Sequence, residues 1–157
     1  MRAQLTAVAY RAATRWLVAY RRVRRPTIHG VRCVVMRGDE VLMVRHTYGD
    51  RRWGFPGGRG RRGEPPEETA RREMREELRL DIDAWRVCGE LAFTGDDRAT
   101  HVVTCLVADT PSEPDVNRGE IADVGWYAVE ALPERVLDHT QTVLEYALAE
   151  RSASRTS

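Results

Sequence analysis

Gly58-Arg-Gly-Arg-Arg-Gly-Glu64-Pro-Pro-Glu-Glu-Thr-Ala-Arg-Arg72-Glu73-Met74-Arg-Glu76-Glu77-Leu78-Arg79-Leu80 is a glycine loop running into a helix that carries three carboxylates at i, i+3 and i+4. At about 100° per residue, Glu73, Glu76 and Glu77 fall within an arc of roughly 100° on one face. Like charges at that spacing repel and weaken an isolated helix. The arrangement makes sense where something positive sits on that face. Clustered hard oxygen ligands suit Mg²⁺ or Mn²⁺, and Mg²⁺ in turn favours phosphate-bearing substrates. The helix is expected from about Pro65 to Leu78, with Pro65 or Pro66 in the first turn, where no backbone donor is needed.

The run closely resembles the signature of the Nudix hydrolases, G-x5-E-x7-R-E-U-x-E-E-x-G-U, where U is a bulky aliphatic residue. Gly58, Glu64, Arg72, Glu73, Met74, Glu76, Glu77 and Leu80 all match. One position departs: Arg79 stands where the family has its last glycine. A glycine would suit a left-handed helix cap, whereas an arginine in that conformation costs about 1–2 kcal/mol unless the helix runs on. No carboxylate is lost by the change.

The resemblance covers about residues 28–150 and implies an α/β/α sandwich with a mixed β-sheet. It also implies hydrolysis of a nucleoside diphosphate linked to some other group, with water attacking a phosphorus and splitting the pyrophosphate. That chemistry asks for charge neutralisation on the phosphoryl oxygens and an aligned water, which Mg²⁺, or Mn²⁺ in its place, supplies. Residue by residue, Glu73, Glu76 and Glu77 match the family's metal ligands, and the Gly57 carbonyl matches a backbone ligand. Arg72 matches the arginine that orients a catalytic glutamate, and Glu64 a supporting acid. Many relatives draw a further ligand or base from a loop just before the last strand. Glu120, in Glu120-Ile-Ala-Asp123-Val-Gly-Trp126, looks like that residue, with Asp123 as the nearby alternative. Glu73 is the first choice for the base and Glu120 the second.

Arg45, Trp53 and Gly58 are the expected substrate contacts. Arg45 looks like the arginine of the family's L-x-x-R segment, which often meets the substrate's phosphates. Trp53 either stacks on a base or packs beneath the glycine loop, and Phe55 is expected to pack. Markers that separate Nudix subgroups for ADP-ribose, diadenosine polyphosphates or coenzyme A do not fit. Thr94-Gly95-Asp96 lies where the ADP-ribose group has a proline, for example. The sequence therefore leaves the nucleotide derivative open. A reading of a different class is a Nudix-like module that senses a nucleotide without cleaving it, although a sensor has no need to keep every ligand.

The remaining pattern is a mixed α/β order. Ile28 to Met36 and Val41 to Arg45 read as a hairpin around Gly38-Asp39, followed by a polar loop from Tyr48 to Arg52 and a short extended piece from Trp53 to Pro56. Ala84 to Phe93 and Ala99 to Ala108 read as longer strands and Val124 to Ala128 as a last one. Glu134 to Glu150 reads as a helix and residues 152–157 as a disordered tail. The domain is expected over residues 27–151.

Ahead of it, residues 1–26 form a basic leader. Leu5, Val8, Ala12, Trp16, Ala19 and Val23 follow helical spacing over residues 3–23, with arginines between them. That apolar stripe is expected to pack on the domain or on a second copy, giving a homodimer. A basic amphipathic helix of this kind also suits an anionic membrane surface, the less favoured reading.

All 25 basic residues are arginine, and nine of them precede Asp39, the first acid. The rest of the chain carries 16 arginines against all 24 acids, a balance of −8. Basic and aromatic residues are not interleaved there as an RNA-binding surface requires, so no stable nucleic-acid complex is expected. The 42% hydrophobic and 31% charged residues suit one globular enzyme domain, and no 18-residue uncharged apolar window exists to span a membrane. Cys33, Cys88 and Cys105 are scattered in apolar runs and are expected to be free, buried thiols. With no signal-peptide pattern, the cytoplasm is the expected location.

Overall fold

Val31, Cys33 and Val35 alternate with Val34 and Met36 along β1 (Thr27–Arg37), so that both faces of this strand are apolar. That pattern belongs to a strand buried on both sides. The same holds for β2 (Glu40–His46), where Leu42 and Val44 face one way and Val41 and Met43 the other. The computed structural model describes residues 27–49, 51–95, 98–116 and 118–156. The expected leader helix over residues 3–23 lies outside them.

Four further strands, β3 (Trp53–Gly54), β4 (Arg86–Thr94), β5 (Thr100–Asp109) and β6 (Ile121–Ala128), complete a six-stranded sheet. Its order is β3-β2-β1-β5-β4, with β6 also paired to β2. Among the described residues the helices are α1 (Pro66–Leu78) and α2 (Thr140–Thr156). Ala70, Met74 and Leu78 recur at i, i+4 and i+8 and bury one stripe of α1 against Val31, Cys33, Val35, Leu42, Val44 and Leu106. Val143, Leu144 and Ala147 of α2 cover the opposite face, against Val34, Met36, Val41, Met43, Cys105 and Val107. The expected α/β/α layering is thus present.

Two compact units divide the chain: residues 1–28 with 92–102, and residues 29–91 with 103–157. In the first, a turn is closed by the Gly95 amide donating to the Ala99 carbonyl at 3.0 Å and the Arg98 amide to Gly95 at 2.8 Å. The rings of Phe93 and His101 stack there, 5.3 Å between centroids. The second unit holds both helices, the two apolar clusters and the candidate site.

Three boundaries differ from the sequence reading. The last strand begins at Ile121 rather than Val124, because Ile121 and Asp123 continue the ladder with His46 and Arg45. The last helix begins at Thr140, not near Glu134. Residues 135–137 bond instead to β3: the Trp53 amide donates to Arg135 at 3.0 Å and the Leu137 amide to Trp53 at 2.7 Å. Arg135 and His139 also take positive φ angles that no helix continues through. Finally, the helix runs to Thr156, through residues expected to be a disordered tail. Arg151 ties it down, donating to the Gly38 carbonyl at 2.8 Å and pairing with Asp109 at 2.5 Å. The Ser152 and Thr156 hydroxyls bond back to carbonyls four residues earlier.

Candidate active site

The glycine loop is built into the sheet. Trp53 and Gly54 pair with Arg45 and Val44 of β2. A few residues on, the Pro56 and Gly58 carbonyls accept from the Cys33 and Val31 amides of β1, both at 2.9 Å. Gly57 has φ 149 and lies so close to β1 that a Cβ would overlap the Val31 carbonyl oxygen. A Cβ on Gly58 would overlap the carboxylate of Glu73. Both glycines are therefore demanded by close approach: one lets the loop reach β1, the other lets α1 reach the loop.

Helix α1 starts at Pro66 with Pro65 extended ahead of it, as the sequence suggests. Its exit settles the question raised by Arg79, which caps the helix in the left-handed region at φ 52 and ψ 33. The Arg79 amide donates to Arg75 at 3.2 Å and the Leu80 amide to Met74 at 3.1 Å, closing the turn a glycine would ordinarily close.

Arg72 organises the acidic face. Its Nε and one terminal nitrogen grip the two oxygens of Glu64, each at 2.9 Å, and its other terminal nitrogen bonds Glu73 at 2.6 Å. It also reaches the Arg59 carbonyl at 3.0 Å and Glu76 at 3.4 Å. Glu64 further accepts from the Arg61 amide and the Thr69 hydroxyl. The Arg72 contact, first among these, brings the Glu64 carboxyl down to about 2, and the same contact raises the guanidinium further above its ordinary range. Arg72 thus holds Glu64 and Glu73 together by charge-assisted contacts. Glu64 serves as the anchor for that arginine.

Glu77 is the unusual member. It is 4% exposed, and its Oε2 is buried without a hydrogen-bond partner. The Gly57 amide donates to its carboxylate, but burial first, and the charge of Glu73 next, push its carboxyl up to about 8. Burial also raises Glu73, against the pull of Arg72. Glu76 is more open and is shared between Arg72 and Arg61. Among the described residues, no three acidic, imidazole or thiol side chains are already drawn into one coordination shell. Glu73 and Glu76 are turned towards Arg72. The donor set nevertheless fits a hard divalent cation: a carboxylate oxygen buried without a partner lacks a positive neighbour.

Glu120 joins this group and Asp123 does not. The Glu120 carbonyl accepts from the Thr47 amide at 2.9 Å and from the Thr47 hydroxyl at 3.3 Å. Its charge acts on both Glu73 and Glu77. Asp123 is held by Arg45, whose Nε donates to it at 2.8 Å. By strand alternation Arg45 lies on the Met43 side of the sheet, away from α1, and its guanidinium stands 5.5 Å over the Trp53 ring. Trp53 in turn meets Tyr127 edge-on, and Phe55 is buried in the same cluster. The structure thus gathers Arg72, Glu73, Glu76, Glu77, Gly57, Gly58 and Glu120 around α1, and places Arg45 with Trp53 in a separate pair.

Sequence reasoning missed Thr47, Tyr48 and Arg32. Tyr48 is 63% exposed, its ring 5.0 Å from that of His46, and it senses the charges of Glu77, Glu120 and Glu73. A single tyrosine in a polar loop and a single arginine in a strand carry no spacing that could have singled them out.

A family model described as NUDIX domain matches residues 26–146. A protein of Mycobacterium tuberculosis described as ADP-ribose pyrophosphatase is 37% identical over 102 residues, which covers 62% of this chain and 49% of that one. The chain thus spans about half the length of the curated relative it matches. Among solved structures, a MutT NUDIX hydrolase from Burkholderia pseudomallei superposes with a TM-score of 0.71 at 23% identity, covering 76% of this chain and 97% of that one. A MutT protein from Methanosarcina mazei gives 0.70 at 18% identity, over 82% and 97%. Those two likenesses speak for the fold, and with the family match over most of its length the chain belongs to the NUDIX domain family.

Proposed function

We propose that this chain is a divalent-metal-dependent pyrophosphohydrolase that cleaves a nucleoside diphosphate linked to another moiety. The observation that carries this reading is the buried, partnerless Oε2 of Glu77 beside Glu73, on a helix face fixed to the glycine loop. A carboxylate there costs folding free energy unless a cation accompanies it. Glu73, Glu76, Glu77, Glu120 and the Gly57 carbonyl would hold Mg²⁺ or Mn²⁺. The bound ions supply Lewis-acid charge neutralisation and a hydroxide at neutral pH. Arg72 fixes Glu73 against Gly58, so that release of Glu73 towards a cation leaves Arg72 still anchored by Glu64. Glu73, with Glu120 as the second candidate, takes the proton from the attacking water. Arg45 and Trp53, on the other face of β2, are read as the wall for the nucleoside end.

The M. tuberculosis relative's description makes ADP-ribose the first substrate to try. A turnover screen with Mg²⁺ and Mn²⁺ tests the proposal. It would include ADP-ribose, nucleotide sugars, dinucleoside polyphosphates, coenzyme A and damaged nucleoside triphosphates. Metal-dependent release of a nucleoside monophosphate is the expected result. Tight binding of one of these compounds without turnover would favour the nucleotide-sensing module instead. The three cysteines are free thiols, which suits a reducing compartment, and we place the protein in the cytoplasm.

A further inference from the structure

Arg32 lies outside the signature, on β1 directly under the glycine loop. A Cβ on Gly57 would come within 3.2 Å of the Arg32 Cα, and the amides on either side of Arg32 bond the Gly58 and Pro56 carbonyls. Its backbone is thus held as firmly as any in the site. Its side chain is partly buried, yet its hydrogen bond among the described residues is a long one, 3.5 Å to the carbonyl of its neighbour Val31. No carboxylate among those residues pairs with it. Three other arginines near the loop are engaged: Arg72 with Glu64, Glu73 and Glu76, Arg61 with Glu76, and Arg45 with Asp123. Arg32 is nevertheless close enough for its charge to act on Glu77, His46 and Tyr48.

A guanidinium carries five donors in a rigid fork, and leaving them unpaired out of bulk water is unfavourable. That fork matches phosphate oxygens bidentately. A cation that stands beside a carboxylate cluster without closing an ion pair is available to an anion that the cluster's own metals bring in. We propose that Arg32 binds the substrate's diphosphate, taking phosphoryl oxygens on the side away from the carboxylate-held cations. The proposal rests on the hydrolase reading above.

A purely structural Arg32, present only to balance Glu77, makes the opposite prediction. Removing a positive charge beside a cation site strengthens cation binding, whereas removing a phosphate donor weakens phosphate binding. The test uses the full chain with Arg32→Gln and Arg32→Lys. It measures KM and kcat on whichever diphosphate the wild type turns over, inhibition by inorganic pyrophosphate, and Mn²⁺ affinity without substrate. Arg32→Gln is expected to raise KM and the pyrophosphate inhibition constant about 10- to 100-fold, with Mn²⁺ binding equal or tighter. Arg32→Lys, which keeps the charge and loses the fork, falls between. An unchanged KM and inhibition constant would overturn the proposal, and so would Mn²⁺ affinity falling in step with them, the mark of a collapsed site. If Arg32→Gln does not fold, Arg32→Lys decides by the same criteria. Absence of any turnover in the wild type would sink the hydrolase reading instead, while pyrophosphate binding would still report on Arg32.

Discussion

Replacing Glu77 by Gln keeps the shape of the side chain and removes its charge. In the metal-free protein the Glu77 carboxyl stands at about 8 against an ordinary 4.5, raised by burial first. The folded state therefore binds more protons than the unfolded state between those two pH values. Its stability is fully present below about pH 4.5 and is lost as pH rises towards 8. Each pKa unit corresponds to about 1.4 kcal/mol, so the window holds at most about 5 kcal/mol, and about 3.4 kcal/mol is already lost at pH 7. With chelator present, Glu77→Gln should match the wild type at pH 4.5 and exceed it by about 3–5 kcal/mol at pH 8, read from urea unfolding at each pH. Mg²⁺ should narrow that gap, since a ligand at 100 times its Kd stabilises the folded form by about 2.7 kcal/mol and the variant binds it less. The rate with substrate should fall at least about 100-fold. If the stability difference between the two proteins is the same at pH 4.5 and pH 8 in chelator, Glu77 is not the strained, uncompensated carboxylate described above.

Other consequences are simpler to check. Arg79→Gly removes a left-handed arginine at the helix exit and should stabilise the protein by about 1 kcal/mol in a melting or urea experiment, because the exposed 3.5 Å pair with Asp115 offsets only a few tenths. Met74→Ala opens a cavity under α1, where Met74 is fully buried, and should cost about 2–5 kcal/mol in the same assay. Glu120→Gln should lower kcat with little change in KM, whereas Asp123→Asn should leave kcat near wild type. The reverse pattern would transfer the role to Asp123.

Much of this was legible from the chain. The β-branched alternation of β1 and β2 placed the first hairpin, and prolines placed the start of α1. The spacing of Glu73, Glu76 and Glu77 placed the acidic face, because helical geometry converts sequence distance directly into direction. What failed to show depends on partners far away in sequence. Residues 135–137 give up a helix to bond Trp53, and only the folded sheet supplies that competitor. Arg45 meets Asp123 rather than the glycine loop because β6 lies beside β2, a pairing across 78 positions. Arg32 looks like any strand arginine until the loop is laid over it. The Arg79 ambiguity was real at the sequence level, and the amides of Arg79 and Leu80 resolve it.

Because the Pro56 and Gly58 carbonyls hang from β1 while Trp53 and Gly54 hang from β2, the glycine-rich turn cannot swing as a hinged flap. Lifting it would break the ladder on both edges. Its ordering entropy is therefore spent when the chain folds and not at each encounter with a nucleotide. Amide exchange at Val31 and Cys33 should accordingly be as slow as anywhere in the sheet.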